Sequence, residues 1–151
     1  MAAIGWAIGS QVQGRIYGRV PPGRLVELGG LIMSVGVAAS VLSLVPGLSF
    51  WIITLTWLVA AGGMGLAFGS MGSLVLELSA DDDRGSNVAS LQVCDSVGSV
   101  VLVALAGAVY TTALAQGAVG SMTFAVMWLA MAGIAALGGL LARRIRAAPE
   151  A

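Results

Sequence analysis

The sequence predicts an all-α integral membrane protein: four full transmembrane helices preceded by a shorter apolar helix. Three observations carry that reading. Hydrophobic residues make up 58% of the 151 and charged residues 9%. Soluble domains average about 25% charged residues, so this chain cannot cover itself with a water-compatible surface. Apolar stretches long enough to cross a bilayer recur four times. The seven cationic residues, all arginine, fall on alternate connections: Arg15, Arg19 and Arg24, then Arg84, then Arg143, Arg144 and Arg146, while 45–50 and 115–121 carry no charge.

The elements follow in order within one membrane domain, 1–151. Residues 1–14 are apolar enough for membrane helix, but at about 1.5 Å per residue they reach only about 21 Å, too short to span. They read as the inner half of a truncated helix. Residues 25–45 make the first full span, about 32 Å long, ended by Pro46-Gly47. Residues 50–78 make the second, with Trp51 and Trp57 toward its neutral end as in an aromatic belt. The third, 87–114, follows a loop in which Ser86 or Asn87 can cap the first turn. The fourth, 121–142, is stopped by Arg143-Arg144-Ile145-Arg146, which opens the tail 143–151.

Arginine bias sets the orientation. The loop 15–24, the loop 81–84 and the C-terminal tail are expected in the cytoplasm, and the neutral connections outside, which makes a multi-pass protein of the plasma (inner) membrane. The short first helix then enters from outside without its outer half, so the chain is expected to be the C-terminal part of a longer protein. A signal peptide does not fit: no positive residue precedes Ala2, and Ser10, Gln11 and Gln13 interrupt the apolar run.

Composition excludes several chemistries. Net charge is zero and no basic stretch is interleaved with aromatics, so nucleic acid is not an expected partner. The chain has no His and one Cys, Cys94. That removes thiolate and imidazole metal sites, intrachain disulfides and His-based triads. No cofactor or metal is expected. No enzyme is expected either, since no pair of carboxylates sits at intramembrane depth.

Small residues recur every four positions: Gly30, Ser34 and Ala38; Gly65, Gly69 and Ser73; Ala104 and Ala108. Such rows let helix backbones approach in lipid. The run Gly62, Gly63, Gly65, Gly69 and Gly72 exceeds that need and predicts that the second span can bend.

Asp95 is the most informative side chain. It lies about 12 Å inside the third span, where an ionised carboxylate must be paired, hydrated or protonated. Gln92, Asp95, Ser96 and Ser99 fall at i, i+3, i+4 and i+7, one polar row on an apolar helix. Two readings stand: a face lining a water-accessible cavity, with Asp95 titrating during transport, or an interhelical hydrogen-bond seam with Asp95 held by an arginine. Ser70, Ser73 and Glu77 form a second row on the second span, expected to share that cavity, with Glu77 snorkelling to the interface. The first and fourth spans carry no charge in their interiors, so two helices line something polar and two face lipid.

The segment Gly14-Arg15-Ile16-Tyr17-Gly18-Arg19-Val20-Pro21-Pro22-Gly23-Arg24 resembles the Gly/Arg-rich loop of the major facilitator superfamily, in the weaker form carried between its eighth and ninth helices. The family's usual acidic residue is absent from it, and Pro21-Pro22 is atypical. Gly62–Gly69 resembles the glycine-rich tenth helix of multidrug-efflux-like members. Arg84–Ser90, with Asp95–Ser99 and Ala106-Gly107, resembles the loop and helix after it. The resemblance implies part of the C-terminal six-helix bundle, with the ninth and twelfth helices peripheral and the tenth and eleventh lining a central cavity. It implies a secondary transporter working by alternating access, with proton-coupled efflux of small amphiphilic compounds. Its partners would be the bilayer, a small-molecule substrate and an N-terminal half. Loop residues Gly14, Arg15, Gly18, Arg19, Gly23 and Arg24 would form a cytoplasmic hinge or gate. The alternative is a small membrane protein that does not transport by itself and needs a partner or self-association.

Overall fold

The computed structural model describes residues 1–47 and 51–144. The expected start of the second span at Phe50, and tail residues 145–151 with Arg146, lie outside them. Five helices run in order: α1 (Ala2–Ile16), α2 (Pro22–Ala39), α3 (Trp51–Leu78), α4 (Arg84–Ala115) and α5 (Ser121–Ala142). A 3-10 turn, Ser40–Leu44, prolongs α2, and another, Asp81–Asp83, precedes α4. α2 with its turn, α3, α4 with its turn, and α5 are each long and apolar enough to cross a membrane. α1, at 15 residues, reaches about 22 Å.

Local chemistry explains the boundaries. α2 begins at Pro22, three residues before the sequence places it. Pro is suited to the first helical position, where its missing N–H would be unsatisfied anyway. The turn before it is tight: Arg19 and Val20 both donate backbone N–H groups to Ile16 O, at 3.0 and 3.2 Å. Gly18 takes φ +81° there, a backbone state that side chains resist. α4 begins at Arg84 with no side-chain cap bond, so Ser86 and Asn87 are not its caps. They sit in its first turn, and Asn87 Nδ2 donates instead to Ser79 Oγ at 2.8 Å. α4 ends in a Schellman motif: Gly117, φ +64°, donates to Leu114 O at 3.0 Å and Ala118 to Ala113 O at 2.8 Å.

Four helices form one layer in the order α1, α3, α2, α5. Glycines set the spacing. A Cβ on Gly29 or Gly36 of α2 would stand 2.5 Å from Gly63 O or Ala60 N of α3. Gly5 and Gly9 of α1 meet α3 backbone at Leu58 and Gly62, and Gly65 meets Trp6 O. Gly30 of α2 lies over Gly139 of α5, where an added Cβ would be 2.8 Å from its Cα. Ser34 Oγ donates across that seam to Ala132 O at 2.8 Å. At the other end of α2, Ser40 Oγ lies 3.0 Å from Thr56 Oγ1 of α3. The order of these contacts makes α1, α3 and α5 parallel and α2 antiparallel to them.

α3 is continuous through its glycine run; Gly62, Gly63, Gly65 and Gly69 serve close packing, and only Gly72 of the run meets nothing. Two expectations change here. Ala104 and Ala108 mark no tight helix contact, because both are exposed. α4 has no buried residue; it meets its neighbours near its ends, as where the rings of Tyr110 and Phe124 lie 6.2 Å apart. Within the described residues the division into two polar-lining and two lipid-facing helices therefore fails. α2 is flanked by α3 and α5 but keeps exposed apolar residues such as Leu28 and Val35, and α4 is bare.

Gly29→Val should force α2 and α3 apart, at a cost of about 1–3 kcal/mol for overpacking. Gly72→Ala, into open space, should leave stability equal or raise it by up to about 1 kcal/mol. Thermal unfolding of the two variants in detergent checks the contrast; equal melting points would refute the packing assignment.

Candidate functional site

Because α1, α3 and α5 run the same way, the turn after α1, the turn after α3 and the end of α5 meet at one end of the molecule. It carries nearly all the charge. Tyr17 OH donates to Glu77 Oε1, tying the α1–α2 turn to the end of α3. Arg143 Nε donates to Glu27 Oε1 at 2.6 Å, tying α5 to the start of α2. The Glu27 side chain is 15% exposed and that of Arg143 is 58%. Arg84 pairs with Asp81 at 2.9 Å, but both are exposed, so that bridge adds less than about 1 kcal/mol.

The second polar row does not line a cavity among the described residues. Ser70 is fully buried and donates to Leu66 O of its own helix at 2.8 Å. Ser73 bonds Gly69 O at 3.1 Å, and Glu77 is engaged by Tyr17. Ser73 and Glu77 instead meet the α1–α2 turn at Tyr17. Burial of Ser70 costs little, since its hydroxyl returns to its own helix backbone.

The row on α4 is placed differently. Gln92, Asp95, Ser96 and Ser99 are all exposed. Ser96 Oγ donates to Gln92 O at 2.9 Å, within the helix. Among the described residues no cation pairs with Asp95, and none of their arginines holds it in a seam. Asp95 lies about 16 Å along α4 from Arg84. The 32 residues of α4 reach about 48 Å, more than a hydrocarbon core of about 30 Å, so its polar first turn can stand outside the core and Asp95 lies in the part of the span nearer the charged end.

The two rows are not brought together. Two apolar grooves lie elsewhere. One of about 450 Å³ opens between α1, α2 and α3 and is lined by Trp6, Met33, Trp57 and Met64 among others. One of about 730 Å³ lies between α4 and α5, with Val109, Thr112, Gln116 and Met122 on its walls. Neither includes a residue of either row. Among the described residues no three metal-ligating side chains converge.

Within the loop segment, Gly18 makes the turn, Gly23 is buried in the first turn of α2, and Gly14 meets nothing. Arg15, Arg19 and Arg24 are exposed and form no ion pair among the described residues. Sequence reasoning misses Glu27, Tyr17 and the pairing of Arg143. Glu27 had a signal: it is an acid inside an apolar stretch, three residues after Arg24.

No family model, curated protein or solved structure gives a significant match to this chain. Any functional reading therefore rests on its own residues and on the motif resemblance.

The Tyr17 phenol is pushed above its ordinary value of 10.0, first by its bond to Glu77, with a bond from Ser73 offsetting part of the rise. Below pH 10 the phenol is protonated in folded and unfolded chain alike, so the bond contributes fully. Its contribution is lost as pH rises through the raised folded value. In a Tyr110→Phe background, phenolate absorbance should show Tyr17 titrating above 10, and Glu77→Gln should bring the midpoint down toward 10. An unmoved midpoint would show that Glu77 does not hold the phenol.

Proposed function

We propose that this chain forms the C-terminal portion of a secondary active transporter of the major facilitator type, one that exports small amphiphilic compounds in exchange for protons. The observation that carries the reading is the α4 row: a carboxylate inside an apolar span, with Gln92, Ser96 and Ser99 beside it, exposed and without an ion-pair partner among the described residues. Placing a charged side chain at the bilayer centre costs about 2.5–3.5 kcal/mol on insertion scales. Such a row therefore needs water, a proton or a polar neighbour, and a transport cavity supplies all three. The Gly14–Arg24 segment and the glycine-rich α3 support the same reading by resemblance. In it, the charged end is cytoplasmic, the protein resides in the plasma membrane, and an N-terminal half completes the cavity against α4. Asp95 exchanges the proton, while Ser73 and Glu77 hold the cytoplasmic turn in place through Tyr17.

The test is dye efflux driven by a pH gradient. The assay uses membrane vesicles from cells expressing the gene with its upstream region intact, comparing wild type with Asp95→Asn. If Asp95 carries the proton, loss of its titration should abolish gradient-driven efflux, a drop of at least about tenfold, while downhill leak of the dye persists. Undiminished coupled efflux would remove Asp95 from the mechanism.

A second reading is favoured by the bareness of α4: a small membrane protein that self-associates through that helix. Cys94 is exposed on α4, next to Asp95, and reports directly. In lipid nanodiscs of the chain alone, a bismaleimide should leave the protein monomeric if α4 awaits a different partner. Efficient Cys94 cross-linking into dimers would favour self-association instead.

A further inference from the structure

The charges at the charged end are sorted. The α3–α4 turn carries Asp81, Asp82 and Asp83 against Arg84, a net acidic patch. The α2–α5 seam is the reverse: Arg24, Arg143 and Arg144 against Glu27 alone. Arg24 lies one turn below Glu27 on α2, at a spacing where side chains are neighbours. Arg143 is bound to Glu27 through Nε. A guanidinium has five N–H donors, so four remain. The carboxylate thus engages this guanidinium through Nε, and the Arg143 side chain remains 58% exposed. Arg144 follows, exposed, with its backbone N–H on Leu141 O at 3.0 Å. Neither Arg24 nor Arg144 has an acidic partner among the described residues. Directly beneath, toward the middle of the layer, the surface turns apolar: Leu28 on α2 and Leu140 and Leu141 on α5 are exposed.

We propose that this seam binds an anionic phospholipid, its phosphate on Arg24, Arg143 and Arg144 and its acyl chains along Leu28, Leu140 and Leu141. Arginine suits the phosphate because its planar fork donates two parallel bonds. Basic pockets between helix ends at a membrane surface are fitted to anionic headgroups. The apolar strip under the arginines selects a lipid over a free phosphate, which would leave it uncovered. The acidic α3–α4 turn repels the same headgroup and confines it to the seam. The proposal stands apart from the transport reading, since it needs neither Asp95 nor a completed cavity.

Native mass spectrometry of the chain in detergent tests it, with dioleoyl phosphatidylglycerol titrated against dioleoyl phosphatidylcholine. The anionic lipid should bind preferentially. Each arginine removed, Arg24→Gln or Arg144→Gln, should weaken it about 5-fold, the fold-change equal to about 1 kcal/mol per basic residue. Arg84→Gln, on the acidic patch, should weaken it less than either. Arg24→Lys with Arg144→Lys keeps the charge and should retain most binding, so it serves if the glutamine variants do not fold. Binding to the wild-type chain should also fall in about 1 M salt, where the Debye length is about 3 Å. Equal binding of the two lipids, or an equal loss in Arg84→Gln, would overturn the proposal. So would displacement of the lipid by glycerol phosphate at equal concentration, which would mark a site for free anions.

Discussion

The contact on which the rest depends is backbone against backbone, along the glycine face of α3. In lipid, apolar side chains gain nothing by leaving their surroundings for one another, so helices associate through close packing and the few hydrogen bonds they can share. Gly29, Gly36 and Gly63 bring α2 onto α3, and Gly5, Gly9 and Gly65 bring α1 onto it from the other side. With those distances set, Gly30 and Gly139 close the next seam and Ser34 reaches Ala132. Larger residues at these points would hold the backbones apart and leave the serines short of their acceptors.

α4 shows the same rule from its failure. It has small residues too, but Gly98 and Gly107 meet nothing, and long apolar side chains such as Val100 and Val103 stand 69% and 73% exposed. Small residues permit approach without compelling it; a partner with a matching surface is also needed. α3 has such partners on two sides, and among the described residues α4 has none along most of its length. Its polar row is therefore the part of the molecule most open to a neighbour, to water or to a substrate.

Charge is used sparingly and almost always at one end. There, where water reaches, a carboxylate and its partner cost little to hold, and they fasten helices whose contacts are otherwise van der Waals. Glu27 with Arg143 joins residues 116 positions apart, and Tyr17 with Glu77 fastens a turn to a helix end. Sorting the remaining charges into an acidic turn and a basic seam gives that end two chemically different faces.

The sequence by itself determined the number of helices, their lengths and the end at which the charges gather. Those follow from local properties: apolar run length against bilayer thickness, Pro46-Gly47 and Arg143-Arg144 as stops, and arginines on alternate loops. It also made Asp95 legible, because a carboxylate in an apolar run is conspicuous in one dimension. Only the tertiary structure decided which way each helix is turned and what stands beside it. Ser70, Ser73 and Glu77 resemble a cavity lining in sequence, yet Ser70 is buried on its own helix backbone and Ser73 and Glu77 meet Tyr17 of the turn. Ala104 and Ala108 repeat as Gly30 and Ser34 do, yet only the latter find a neighbour. The physical reason is that a helix apolar on every side carries almost no local signal of its own rotation. Which face it buries depends on the shape of a surface that comes from another part of the chain.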